Sequence, residues 1–182
     1  VSPHFNKRND EYGGSIINRM RLLRETLEVV LEEAKGKCAV AIRYGVNDID
    51  NSAGISLEDS KNVIKSLSEL PDFWDINIGS ASDMLTSRFR KEGWQEKNIS
   101  FIKSITSKPV VGVSRYTSPD TMTSLIKRGI IDFIGAARPS IADPFLPKKI
   151  EEGRFEDIRE CIGCNICLAS NEMGVPIRCT QN

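Results

Sequence analysis

The sequence predicts an α/β fold, the carboxyl-terminal half of a (β/α)8 TIM barrel followed by a cysteine-rich segment. Short apolar runs alternate with longer stretches in which apolar residues recur every three or four positions. This alternation, without hairpin signals, is typical of parallel strands joined by right-handed helical crossovers. Four strand–helix units would form half of an eight-stranded barrel or one side of a doubly wound sheet. Two strand candidates end in a glycine with an arginine three residues later, which favours the barrel.

The predicted elements follow one another in a regular order. Short apolar runs mark the strand candidates, which are residues 38–43, 73–78, 109–113 and 131–134. The helix candidates cover about residues 15–34, a segment after Ser56, about residues 96–107, and a segment from Ser118 to Gly129. Ser56 would cap the second helix, with Asp59 three residues later. Ser118 would cap the fourth helix, with Pro119 at its first position.

The last two strand candidates end in similar motifs. In (β/α)8 barrels, phosphate sites follow strands seven and eight. Small residues let backbone N–H groups approach an anion, and an arginine can bind it through two hydrogen bonds. We therefore expect a shared phosphate site, and the absence of a G-x-G-x-x-G motif argues against a dinucleotide fold. The candidate phosphate residues are Gly112, Ser114, Arg115, Gly135, Ala136, Ala137 and Arg138.

Two charged residues near strand ends are further candidates. Arg43 ends the first apolar run, and a cation in that position needs an anionic or strongly polar partner. The partner would be a carboxylate inside the barrel or the negative charge that develops on a reduced flavin near N1 and O2. Asp83 lies in the loop after the second strand candidate, where it would be a helix cap, a solvated charge or a group that faces the substrate.

The carboxyl-terminal segment holds four of the five cysteines, at Cys161, Cys164, Cys167 and Cys179. Three thiols spaced by two residues, with a distant fourth, predict ligation of a 4Fe–4S cluster. A structural zinc site is an alternative, although it more often uses two separated pairs. Unliganded or disulfide-bonded cysteines are the third possibility. The fifth thiol, Cys38, lies in an apolar run and is expected to be buried.

Composition excludes some classes of function. Lys+Arg and Asp+Glu each number 25 among 182 residues, so the formal net charge is zero, and we expect no nucleic-acid partner. No apolar run is long enough to span a bilayer, and no signal-peptide pattern begins the chain. The cysteine usage suits a reducing cytosol better than a secreted disulfide framework, so we expect a cytoplasmic protein. The sequence begins at Val1 and ends at Asn182, which predicts a fragment: residues 1–150 as the half barrel and residues 151–182 as the last helix region and cluster loop.

Several motifs resemble the Old Yellow Enzyme family of FMN-dependent oxidoreductases. The opening 2–19, with Asp10-Glu-Tyr-Gly-Gly-Ser15, is similar to the stretch after barrel strand four in that family. The endings 112–115 and 135–139 are similar to its FMN-phosphate loops. The tail 137–182 resembles the iron–sulfur branch, and within it trimethylamine, dimethylamine and histamine dehydrogenases. The dienoyl-CoA reductase relatives place three residues between the second and third cysteines, whereas this sequence has two.

The resemblance implies the cofactors FMN and a 4Fe–4S cluster. It implies that Arg43 lies beside the flavin pyrimidine ring and that Asp83 is an active-site aspartate. The activity would be that of an amine dehydrogenase, with electron-transferring flavoprotein as a possible acceptor. A homo-oligomer is expected, as is a later domain that binds ADP, FAD or NAD(P)H. The alternatives are an NAD(P)H-dependent 2,4-dienoyl-CoA or enoate reductase and a zinc-stabilised, non-redox phosphate-binding module.

Overall fold

The four strands form one parallel sheet in sequence order. A computed structural model describes residues 1–47, 54–78 and 89–182. The strands are β1 (Ala41–Gly45), β2 (Phe73–Asn77), β3 (Val110–Gly112) and β4 (Phe133–Ile134). They lie in the order β1-β2-β3-β4, and each neighbouring pair is parallel. This sequential order agrees with half of a barrel and equally with one side of a doubly wound sheet.

Helices follow the strands and cover one face of the sheet. The α-helices are α1 (Ile16–Arg19), α2 (Arg21–Ala34), α3 (Leu57–Leu67), α4 (Glu96–Ile99), α5 (Pro119–Lys127), α6 (Ala137–Ala142), α7 (Leu146–Glu151) and α8 (Ile166–Glu172). Short 3-10 segments lie at Ile102–Ser104 and Phe155–Asp157. Within the described ranges, no helix combines the length and the apolar character that a membrane span requires.

Helix starts predicted from the sequence are confirmed. The Ser56 hydroxyl accepts a hydrogen bond from the Asp59 N–H (3.0 Å) and caps α3. Pro119 is the first residue of α5, and α5 is followed by Gly129 with a φ of 67°. Ser118, however, makes no side-chain cap bond. Its N–H instead donates to the Glu92 carboxylate (2.8 Å).

Three local predictions were wrong. The predicted helix 96–107 is only α4 and a 3-10 segment, in which the Ser104 and Ile105 N–H groups donate to carbonyls three residues back instead of four. The predicted helix 15–34 is divided at Met20. Cys38 is exposed rather than buried. It follows Gly36, which ends α2 with a φ of 71°, and β1 begins only at Ala41.

The two faces of the sheet have different partners. Ile42, Tyr44, Trp74, Ile76 and Val110 are buried on one face and form the core with the helices. Side chains alternate along a strand, so the opposite face carries the remaining residues. On that face Arg43, Asp75 and Val111 are opposite one another in register, with Phe133 at the end of the row. Phe133 is 56% exposed, and this face corresponds to the interior of a closed barrel.

Candidate functional site

A cavity of about 400 Å³ lies at the carboxyl ends of the strands. Function in α/β barrels is located at this end of the sheet. Seven of the predicted site residues line the cavity: Arg43, Ser114, Arg115, Gly135, Ala136, Ala137 and Arg138. The structure thus brings the first strand end and both glycine–arginine motifs to one site. Asp83 lies outside the described residues.

Gly112 and Gly135 are required by packing between neighbouring strands. A Cβ atom at Gly112 would stand 2.8 Å from Cγ2 of Ile131, and one at Gly135 would stand 2.3 Å from Cγ1 of Val113. The Gly135 N–H donates to the Gly112 carbonyl (2.8 Å), so this amide is already used in strand pairing. Phosphate binding by these two glycines stays a prediction, and the close packing is a separate reason for their presence.

Arg43 forms an ion pair with Asp75, its register partner on β2. The two side chains approach to 2.5 Å between Nη1 and Oδ2, and the Arg43 side chain is 59% exposed. This contact corresponds to the carboxylate partner considered for Arg43. The exposed part of the guanidinium still borders the cavity, so the pair leaves it available to an anionic group there.

Polar residues that sequence analysis missed also line the cavity. Asp75, Asn77, Trp94 and Gln95 all contribute to its wall. Within the described part of the chain, the buried atoms Asp75 Oδ1 and Gln95 Oε1 have no hydrogen-bond partner. Buried polar atoms are normally paired, so two orphaned acceptors beside a cavity favour a ligand with N–H or O–H donors. The polar residues Asp75 and Asn77 at the end of an apolar strand were the available sequence signal.

Ser114 holds the loop that carries Trp94 and Gln95. Its hydroxyl accepts from the Gln95 N–H (3.3 Å), and its carbonyl accepts from the Gly93 N–H (3.1 Å). The Arg90 guanidinium lies 4.5 Å from the centre of the Trp94 ring, in a cation–π contact. The buried serine side chain therefore positions the loop.

The two arginines predicted to bind phosphate also contact the cysteine segment. Arg115 donates from Nη1 to the Cys161 carbonyl (3.0 Å) and from Nη2 to the Arg90 carbonyl (2.8 Å). Arg138 donates from Nη1 to Oδ1 of Asn165 (2.6 Å). A guanidinium has about five N–H donors, so these bonds do not exclude an anion at the same groups. The cysteine loop is thereby placed beside the cavity.

The cysteines come from two segments that meet. The Cys164 thiol lies 3.3 Å from the hydroxyl of Thr180, the neighbour of Cys179, and Cys179 Sγ accepts from the Gln181 N–H (3.4 Å). The Thr180 contact and the Ile166 N–H lower the pKa of the Cys164 thiol. Burial raises the pKa of Cys161, against the opposing effect of the nearby arginine charges.

The donor set of this segment is suited to a soft metal centre. All four clustered cysteines are partly buried, and thiolates are the usual ligands of iron–sulfur clusters. In the described ranges, however, no three His, Cys, Asp or Glu side chains converge closely enough to hold a metal ion. The segment thus fits the cluster by its residue types alone, and ligation stays a prediction.

A buried carboxylate anchors the start of the cysteine segment. Asp143 is fully buried and accepts from Lys149 Nζ (2.6 Å), the Arg159 N–H (3.0 Å) and the Phe145 N–H (3.1 Å). Burial alone would raise its pKa, but the hydrogen bonds from Lys149 and the two amides lower the pKa to about 2. Asp143 therefore stays ionised and fastens the segment before Cys161 to the end of α6.

Comparison with known sequences identifies the family. Residues 1–157 match the profile of the NADH:flavin oxidoreductase / NADH oxidase family. The chain belongs to this family. The resemblance to Old Yellow Enzyme relatives is thereby confirmed, as is the assignment to a family of oxidoreductase enzymes.

Individual relatives match over the whole chain. Dimethylamine dehydrogenase from Hyphomicrobium sp. (strain x) is 47% identical over 188 residues, covering 100% of this chain and 26% of the relative. The structure of 6-hydroxypseudooxynicotine amine oxidase from Pseudomonas geniculata N1 has a TM-score of 0.95 and 54% identity, covering 100% of this chain and 27% of that one. Histamine dehydrogenase from Rhizobium sp. 4-9 has a TM-score of 0.93 and 48% identity, covering 100% and 26%. The chain spans about a quarter of the length of these relatives.

The structural neighbours also bear on the fold. They match the sheet and its helices over the full chain. Together with the sequential parallel strand order, they confirm the predicted α/β half of a TIM barrel.

Proposed function

We propose that this chain is the second half of the barrel in an FMN- and 4Fe–4S-dependent amine dehydrogenase. Residues 1–150 would form the half barrel and residues 151–182 the cluster segment. The single observation that carries the proposal is the cavity at the strand ends, whose two arginines also contact the cysteine loop. The relatives named as amine dehydrogenases and an amine oxidase support the substrate class.

The cavity residues suit the parts of FMN. Arg115 and Arg138 would bind the phosphate, together with backbone N–H groups near the start of α6, where the N-cap Ala136 offers no capping side chain. Asp75 Oδ1 and Gln95 Oε1 would accept from ribityl hydroxyl or ring N–H groups. Arg43 would favour negative charge on the ring system through its positive charge. When bound, FMN accepts electrons in pairs and a 4Fe–4S cluster passes them one at a time.

The cysteine segment would hold the cluster and lead to the external acceptor. Cys161, Cys164, Cys167 and Cys179 would be the ligands as thiolates. Asp83 would orient the cationic amine. An electron-transferring flavoprotein is the proposed acceptor, because it exchanges electrons with a flavoenzyme without requiring NAD(P)H.

In the alternative function, electrons flow in the opposite direction, from NAD(P)H to the substrate. An NAD(P)H-dependent enoate or dienoyl-CoA reductase would use the same barrel and cofactors. The family to which the chain belongs includes NADH oxidases, which favours this alternative. The spacing of two residues between Cys164 and Cys167 distinguishes the sequence from the reductase pattern and favours the amine dehydrogenase.

The test uses the full-length protein purified without oxygen. We expect stoichiometric FMN, about four iron atoms per cluster, and bleaching of the visible spectrum when a secondary or tertiary methylamine is added. Bleaching by NADH and not by amines would instead establish the reductase. A colourless protein that contains zinc and no iron would refute both and support the non-redox module.

A further inference from the structure

Asn165 has an unusual backbone and an unusual side-chain partner. It lies between Cys164 and Cys167 and is the N-cap of α8, with a φ of 63°. An N-cap asparagine usually accepts from the first amides of its helix, but Asn165 makes no side-chain cap bond. Its Oδ1 instead accepts from Arg138 Nη1 at 2.6 Å. The side chain is thus used for a contact between the cysteine loop and the start of α6, the helix that follows β4.

A second residue with positive φ also contacts the cysteine loop. Within the ranges 1–47, 54–78 and 89–182, Arg115 (50°) and Asn165 (63°) are the non-glycine residues with positive φ. Left-handed backbone is uncommon for non-glycine residues and is often retained at functional sites. Arg115 reaches the Cys161 carbonyl, as Arg138 reaches Asn165. Both unusual residues therefore lie in the connection between the strand ends and the cysteine loop.

We infer that Asn165 is a positioning residue of the metal site, acting through Arg138. The Asn165–Arg138 and Arg115–Cys161 contacts hold the cysteine loop at two points, against the start of α6 and against the loop that follows β3. Residues that orient ligands without binding the metal contribute strongly to metal affinity. Retention of iron therefore depends on the Asn165 side chain, although it is not a ligand. The inference rests on the proposed iron–sulfur function.

The position of Asn165 outside the cavity distinguishes its proposed effect on iron from an effect on flavin binding. Asn165 is absent from the residues that line the cavity, whereas Arg138 is among them. Loss of the Asn165 amide leaves the Arg138 guanidinium in place for an anion. We therefore expect iron retention and FMN retention to respond differently to substitution at Asn165.

The test compares Asn165→Gly with Asn165→Asp in the full-length protein, purified without oxygen. Glycine adopts a positive φ without steric cost, so Asn165→Gly keeps the loop backbone and removes the acceptor for Arg138. We expect an unchanged FMN-to-protein ratio and about tenfold faster loss of iron to a chelator. Asn165→Asp retains an acceptor and should retain iron as the wild type does.

The outcomes distinguish this inference from the function on which it rests. Wild-type protein that holds FMN and iron, together with an Asn165→Gly variant that loses iron at the wild-type rate, would overturn the inference alone. Equal loss of iron from the Gly and Asp variants would also overturn it. Wild-type protein without iron would overturn the proposed function and the inference together. Circular dichroism and FMN content verify that each variant is folded.

Discussion

At the scale of single residues, the site is organised by charges that lie opposite one another on neighbouring strands. Arg43 on β1 and Asp75 on β2 are register partners, and their ion pair borders the cavity. The carboxylate partly neutralises the guanidinium, which limits how strongly Arg43 attracts another anion. Asp75 would therefore moderate the effect of Arg43 on a bound flavin.

Asp75→Asn should raise the flavin midpoint potential in the full-length protein. Removal of the carboxylate leaves more of the Arg43 charge to stabilise the reduced, anionic cofactor. An exposed ion pair contributes up to about 1 kcal/mol, which corresponds to a shift of about 20 mV for a two-electron couple. Reductive titration against a reference dye measures the shift. Glu58→Gln, at an exposed pair with Lys61, is the control, and a negative shift in Asp75→Asn would contradict the prediction.

Gly135→Ala should destabilise the protein through a clash between strands. The new Cβ would stand 2.3 Å from Cγ1 of Val113, and overpacking of this kind typically costs about 1–3 kcal/mol. Val113→Ala in the Gly135→Ala background removes the clashing methyl groups and should recover part of the loss. Thermal unfolding of the two variants tests this, and a double variant no more stable than Gly135→Ala would show that packing is not the cause.

At the scale of elements, the connection between the barrel and the cysteine segment depends on one buried carboxylate. Asp143 ends α6, and its partners lie on α7 and in the segment that precedes Cys161. Lys149 also donates to the Asp157 carbonyl (2.6 Å). This small network holds α7 and residues 155–159 together, so that the cysteine loop begins from a defined position.

Asp143→Asn should lower stability in a pH-dependent manner. Removal of one partner of a buried ion pair costs about 3–5 kcal/mol. The pKa of Asp143 is lowered from 3.8 to about 2 in the folded state, so its stabilising contribution is present above pH 3.8 and is lost as the pH falls toward 2. The wild-type and variant melting curves should therefore differ at pH 7 and converge in acid. Glu152→Gln, at exposed ion pairs, is the control, and a difference that is independent of pH would contradict the assignment.

At the scale of the whole molecule, the sheet presents one covered face and one open face. The helices bury the residues on one side, while Phe133, Arg43 and the cavity residues lie on the other. In the part of the chain that the structure describes, the sheet also has two edges, at β1 and β4, whose backbone groups pair with no further strand. Closure of a barrel removes both the edges and the exposed interior face.

The isolated 182-residue chain should therefore self-associate or bind FMN weakly. Apolar interior positions and unpaired edges favour pairing with another copy. Size-exclusion chromatography with light scattering, together with FMN titration, measures both properties. Phe133→Ser, which removes an exposed apolar side chain from the open face, should reduce self-association, with Phe155→Ser on an exposed 3-10 segment as the control. A soluble monomer with stoichiometric FMN would contradict this prediction.

Much of the architecture could be predicted from local patterns. Apolar periodicity located the four strands, and Ser56 and Pro119 marked helix starts correctly, because these features depend on neighbours within one helical turn. The helix 96–107 was predicted incorrectly, since the backbone at residues 104 and 105 pairs three residues back instead of four. The burial of Cys38 was predicted incorrectly, since β1 begins only at Ala41. Asp75, Trp94 and Gln95 were missed because their proximity to the site depends on strand register and on the contacts of Ser114.

The amino-acid order alone determined the strand–helix alternation, the glycine–arginine strand ends and the four clustered cysteines, because each is a pattern of residue types at short separations. The tertiary structure decided that Arg115 and Arg138 contact the cysteine loop, that Asp75 is the partner of Arg43, and that Gly112 and Gly135 are packing residues. These relations join residues that are far apart in the chain, and parallel strand pairing brings them within hydrogen-bonding distance.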